Sequence, residues 1–187
     1  MKFKKSLTNF FKNTDSGFTL IEVLVVAAIT GIITTFMLLN FQRTRVDLNE
    51  SGGVLMADLR AAQNKALAST RYNSGSGSKI RCGYGVHYIN PTSYSVYAGP
   101  DASLNNCPSL NRNLDGADTI VATKKFVNEK VEFKATFSDI FWEPPNPDTY
   151  INNSSANASI NITIGKKGGA CPQDCKTINV STSGKIQ

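Results

Sequence analysis

Gly17-Phe18-Thr19-Leu20-Ile21-Glu22 opens an almost unbroken apolar run that ends near Phe41, and this run decides how the rest of the chain is organised. As a helix, Phe18 to Phe41 is about 36 Å long at ~1.5 Å per residue, enough to cross about 30 Å of hydrocarbon. One carboxylate, Glu22, stands inside it, and no Lys or Arg in the run can pair with it. Ionisable groups inside membranes are rare and usually functional. A secretory signal places its small cleavage residue beyond the apolar block, whereas Gly17 stands before it. The run therefore reads as a retained anchor.

Ahead of Gly17 the chain is basic. Lys2, Lys4, Lys5 and Lys12 against Asp15 supply half of the formal charge of +6 carried by the 187 residues. Positive residues beside a span favour the cytoplasmic side. The leader is expected to stay inside, with everything after about Arg43 outside the inner membrane. Half of the basic excess is thus a topology signal, not a nucleic-acid surface.

The stretch Gly17-Phe18-Thr19-Leu20-Ile21-Glu22-Val23-Leu24-Val25-Val26 resembles the class III signal of type IV prepilins and type II secretion pseudopilins. The resemblance implies cleavage between Gly17 and Phe18 by a prepilin peptidase, followed by methylation of the new Phe18 amine. It also gives Glu22 a partner, the positive amine of an adjacent subunit's first residue. That amine does not exist until the bond is cut, so cleavage would license assembly. Other pilins and the inner-membrane assembly machinery are the further partners implied.

Beyond the membrane run, Leu48, Gly52, Leu55, Leu59, Ala62 and Ala66 keep to one helix face. The helix is expected to continue to about Thr70, with a bend at Gly52-Gly53, where glycine weakens a helix interior. Ser74-Gly75-Ser76-Gly77-Ser78 then reads as a flexible turn, and the period changes to two. Ile80, Cys82, Tyr84, Val86 and Tyr88 alternate, and Asn90-Pro91-Thr92 turns the chain into Tyr94–Tyr97 as a hairpin. Val131 to Phe137 alternates most clearly; Ile160–Ile164 and Thr177–Val180 supply further strands. Such one-sided alternation implies antiparallel strands with one wet face.

The expectation is an α+β chain, a long N-terminal membrane-spanning helix packed on an antiparallel β-sheet head. Its parts are a cleaved leader (1–17), a transmembrane helix (18–41), an extracytoplasmic helix continuation (42–73) and a β-rich head (74–187). Asp58 to Ala66, then Gly83-Tyr84-Gly85-Val86, and finally Lys176 to Val180 with Gly184, are similar to the minor pseudopilins of the type II secretion protein H and FimT kind. Many major pilins carry a helix-breaking Pro near the outer end of the span. Thr34 to Phe41 has none, which favours a minor subunit.

Cys82, Cys107, Cys171 and Cys175 all lie in the exported part, where an even count favours disulfides. Three pairings are open. Cys82–Cys107 with Cys171–Cys175 is preferred, since the second pair spans a short Pro-Gln-Asp insert. A four-cysteine zinc site is the rival, though Cys82 and Cys107 are far apart in sequence and His87 is the one histidine. No cofactor is expected.

The one candidate ion is calcium. Asn111, Asn113 and Asp115, with Gly116 and then Asp118, imitate the start of an EF-hand loop, but Ala122 stands where its bidentate Glu belongs. An Asn/Asp/Gly turn before a strand at Thr119 is the plainer reading. No nucleophile accompanies His87, and Trp142 beside the Pro-rich Glu143–Asp148 loop reads as packing, so no enzyme is expected. DNA binding is the competing function, since FimT-like minor pilins include DNA receptors, and an adhesive tip subunit belongs beside it. Its candidates are Lys124, Lys125, Lys166, Lys167, Lys176 and Lys185, which are scattered in sequence. The reading preferred from sequence is a structural subunit of a secretion pseudopilus or pilus-like filament.

Overall fold

The computed structural model describes residues 18–73, 77–145, 148–156 and 159–187, and for 39–45 the backbone alone. The leader, Gly17 included, lies outside them. The chain forms two compact units, Met1–Gln42 and Arg43–Gln187.

One helix, α1 (Leu20–Leu67), begins in the first unit. Its Leu20–Leu38 stretch is long and apolar enough to cross a membrane, and none of it is buried. Its threonine hydroxyls are satisfied locally. Thr30, Thr34 and Thr35 each donate a hydroxyl hydrogen bond to the carbonyl four residues back, at 2.8, 2.6 and 2.8 Å. A hydroxyl bonded inside its own helix adds little cost in hydrocarbon, where an orphaned polar group is expensive.

In the second unit α1 is amphipathic. Leu48, Leu55, Leu59, Ala62 and Ala66 are buried. α1 runs through Gly52-Gly53 without local unwinding. Gly52 instead marks a close approach, since a β-carbon there would stand 2.9 Å from Lys176 Cδ. The helix stops at Leu67, short of Thr70. Ser69 takes a left-handed φ of 46° and the Thr70 amide donates to Lys65 O. Arg71–Asn73, expected in the helix, is a strand (β1) paired with Ser78–Ile80 (β2).

The head carries two larger antiparallel sheets. Strands β3 (Tyr84–Asn90), β4 (Ser93–Ala98), β5 (Thr119–Lys125), β7 (Ile140–Glu143) and β8 (Asp148–Ile151) form a five-stranded sheet ordered β5-β4-β3-β7-β8. Strands β6 (Val131–Phe133), β9 (Ser159–Lys166) and β10 (Cys175–Ser181) form the other, ordered β10-β9-β6. After the Gly184 turn the tail returns along β10, with Asn179 and Gln187 exchanging backbone bonds at 2.8 and 3.0 Å. Both sheets bury one face against α1. Tyr84, Val86, Tyr94, Val96, Ile140, Trp142, Ile162, Ile164, Ile178 and Val180 share one core with the helix residues. The expected α+β fold is therefore present.

Two readings need correction. Val131 to Phe137 is not one strand, because β9 offers a partner only to Val131–Phe133. The Lys134 amide makes one more bond, to Thr163 O, and the chain then crosses to the larger sheet, where Phe137 is still buried. The Glu143–Asp148 segment, read as a loop, gives both its ends to strands. Glu143 ends β7 and Asp148 starts β8, so Pro144-Pro145 lies in a hairpin connection.

Candidate functional site

At the start of α1, Thr19 sits at the N-cap position and Glu22 three residues on. The Glu22 amide donates to Thr19 Oγ1, and that hydroxyl donates to Glu22 Oε2, both at 3.4 Å. This is a variant of the Ser/Thr-x-x-Glu capping box, which the sequence reading missed although Thr19-Leu20-Ile21-Glu22 spells it. Glu22 thereby gains one long hydrogen bond and the positive end of the helix dipole, the latter worth about 0.3–1 kcal/mol. A carboxylate placed in hydrocarbon costs at least about 2.5 kcal/mol. Local capping would offset only part of that cost. Phe18 beside it is 81 % exposed.

The four cysteines form two disulfides. Cys82 joins Cys107 and Cys171 joins Cys175, with Cα atoms 5.3 and 5.2 Å apart. No thiolate remains for the four-cysteine zinc alternative. Cys82–Cys107 pins the segment 99–118 over the face of the larger sheet turned away from α1. Arg112 completes the attachment. Its Nε donates to Glu143 Oε2 at 2.8 Å, its guanidinium stacks 3.9 Å from the Tyr150 ring centroid, and its carbonyl accepts from Tyr97 Oη at 2.7 Å. Read from sequence, Arg112 was only a residue within the calcium-like loop.

That loop bonds largely within itself, though Asn113 Oδ1 is buried with no hydrogen-bond partner. The Ala117 amide donates to Asp115 Oδ1 at 2.8 Å, the Asp115 amide to Asp118 Oδ2 at 2.9 Å, and the Asn113 amide to Asn111 Oδ1 at 3.1 Å. Among the described residues no group of three or more His, Cys, Asp or Glu side chains is arranged to hold a metal ion. The oxygens thus make an Asx-rich turn. Burial pushes the Asp118 carboxyl up to about 6, opposed by the Asp115 amide and reinforced by the Asp115 and Asp139 charges.

His87 is tied to this turn through Asp139. Its Nδ1 lies 2.6 Å from Asp139 Oδ1, and Asp139 Oδ2 accepts from the Leu114 amide at 2.6 Å. Ser95 is the cross-strand neighbour of His87, giving a Ser, a His and an Asp in one place. The Ser95 side chain is 0 % exposed, however, so no substrate reaches it. The arrangement is a strut between sheet and loop. Trp142 is wholly buried in the core.

The six lysines proposed for DNA lie on three elements: β5, the β9–β10 hairpin and the tail. Lys124 faces Asp58 at 3.8 Å, and Lys176 donates to Asn49 Oδ1 at 3.4 Å.

Residues 12–38 match the family profile described as the prokaryotic N-terminal methylation motif. That motif supports a type IV pilin-like protein, a structural subunit processed by a prepilin peptidase and assembled with other pilins. No curated protein and no solved structure matches the chain.

Proposed function

We propose that the chain is a minor pilin or pseudopilin subunit of a type II secretion pseudopilus or type IV pilus-like filament. In this reading prepilin peptidase cuts the Gly17–Phe18 bond on the cytoplasmic side, and the new Phe18 amine is methylated. α1 stores the subunit in the inner membrane with the head outside. Glu22 then exchanges its weak local cap for the amine of a neighbouring subunit, which sets axial register as subunits leave the bilayer.

The observation that carries the reading is a coincidence within residues 12–38. A methylation motif overlaps an exposed apolar helix that holds a single, incompletely compensated carboxylate. Glu22→Ala tests it. The variant should be cut and inserted like the parent, yet enter sheared filaments at least about tenfold less, a loss equivalent to ~1.4 kcal/mol. Normal incorporation would count against the assembly role. Binding of duplex DNA by the full chain in micelles, falling steeply with salt, would favour the DNA-uptake reading instead.

A further inference from the structure

The two disulfides sit in unlike surroundings. Cys82 is 2 % exposed, with its partner Cys107 half-buried. Cys171 is exposed and Cys175 half-buried, at the tip of the β9–β10 hairpin where the ladder ends at the Cys175–Gly165 pair. That tip keeps its shape through backbone bonds. Lys166 N–H donates to Asp174 O at 3.0 Å, Gly169 N–H to Lys166 O at 2.8 Å, and Lys167 N–H to Lys130 O at 2.7 Å. Opening Cys171–Cys175 would leave the hairpin in register.

The local charge is positive. Lys130, Lys134, Lys166 and Lys167 lie on the strands and turns that meet here, against Glu132 and Asp174, while Lys176 turns to the other face beside α1. Lys134 comes close to the Cys175 sulfur. A β-carbon placed at Gly165 would stand 2.5 Å from Lys134 Cε and 2.8 Å from Cys175 Sγ, so those two atoms are no farther apart than the sum. The Lys134 ammonium is fixed by Glu132 Oε1 at 2.9 Å and Lys166 O at 2.7 Å. The same lysine's hydrogen bond is the main reason the Glu132 carboxyl is held below its ordinary value. Partial exposure in an electropositive setting is what makes a cysteine reactive, because nearby cations stabilise its thiolate.

We propose that Cys171–Cys175 is an exchangeable disulfide, a modification site for small thiols and dithiol oxidoreductases, while Cys82–Cys107 is structural. An incoming thiolate attacks Cys171 Sγ and the S–S bond breaks. The electron pair leaves on Cys175 Sγ, as a thiolate beside Lys134, and a mixed disulfide joins Cys171 to the incoming sulfur. The second thiol of a dithiol, once deprotonated, attacks its own partner sulfur and expels Cys171 as a thiolate. The dithiol is oxidised by two electrons and the cysteine pair reduced by two.

The test uses the full chain in detergent micelles, treated with graded dithiothreitol, quenched by alkylation and mapped by mass spectrometry. Cys171 and Cys175 should be alkylated at least about tenfold faster than Cys82 and Cys107 while circular dichroism stays native. Lys134→Gln should slow that opening about threefold, since a leaving thiol of higher pKa leaves more slowly, without slowing Cys82–Cys107. Glu132→Gln removes the opposing charge and should speed it, which keeps the idea testable should Lys134→Gln unfold. Simultaneous alkylation of all four cysteines, or rates indifferent to both substitutions, would overturn the proposal.

Discussion

At Gly52 a β-carbon would stand 2.9 Å from Lys176 Cδ and 3.4 Å from Ile164 Cδ1, whereas at its neighbour Gly53 it would meet nothing within 4 Å. Gly53→Ala should therefore raise stability by about 0.5–1 kcal/mol, the helix-propensity difference alone. Gly85→Ala should do the opposite. Its β-carbon would overlap the Tyr97 ring, which is 0 % exposed and stacked 5.9 Å from Phe141. Overpacking of this kind costs about 1–3 kcal/mol. Thermal unfolding of both variants beside the parent checks the pair of signs. Asp118 adds a pH signature. Burial raises its carboxyl from 3.8 to about 6. The folded state binds that proton more tightly, so the stabilising contribution is complete below 3.8 and lost as pH rises through about 6. Asp118→Asn keeps an acceptor for the Asp115 amide and cannot ionise. The parent's Tm should accordingly fall relative to Asp118→Asn between about pH 4 and about pH 7, and parallel curves would refute the linkage.

Strand β5 is an edge of the five-stranded sheet, and its unpaired backbone groups invite another strand. Two devices discourage that pairing. The β4–β5 register shifts between Val96 and Tyr97, and Lys124-Lys125 ends the strand. Lys124→Val/Lys125→Val should therefore promote aggregation during heating, visible as light scattering below the parent's unfolding temperature, with little change in native circular dichroism. The segment 99–118 is held differently. Removing the Cys82–Cys107 link, of sequence separation 25, by serine at both ends should cost about 3 kcal/mol. That corresponds to a Tm lower by roughly 6–12 °C for a chain of this size. These elements were unevenly legible. Alternation gave the β3–β4 hairpin, β9 and β10, because each buries one face against α1. It overextended β6, since Ala135 and Phe137 keep the alternating pattern after the partner strand has ended. It missed β7 because Phe141 and Trp142 are both buried, on opposite faces, and leave no alternation to read; β8 does alternate, with Thr149 and Ile151 buried, but over only four residues. The Arg112 attachment depends on Tyr97, Glu143 and Tyr150 converging from distant positions, which no local pattern encodes.

On the scale of the whole chain, α1 obeys two different rules. Through Leu20–Leu38 it is apolar on every side, with Phe18 and Leu20 ahead of Val23, Ile29 and Phe36 all more than half exposed. From Leu48 onward one apolar stripe is buried under both sheets, while Val54 and Leu67 stay exposed. A helix apolar all round needs lipid or other helices, while a one-sided helix needs a core. The sequence showed the switch because each solvent leaves its own period. The Thr19-x-x-Glu22 cap was also spelled there, but inside an apolar run it is easily passed over. The switch predicts where the chain can be divided. A fragment starting at Arg43 keeps Leu48, Leu55, Leu59, Ala62 and Ala66, and should fold without detergent into a cooperative unit. A fragment starting at Gly77 loses all five, leaving Tyr84, Trp142, Ile162 and Ile178 without the surface they bury against. Since each buried Leu replaced by Ala costs about 2–5 kcal/mol and a domain's whole stability is about 5–15 kcal/mol, the shorter fragment should not fold at all. Cooperative thermal unfolding by the Gly77 fragment would mean that the sheets hold their core unaided and that α1 is only an anchor.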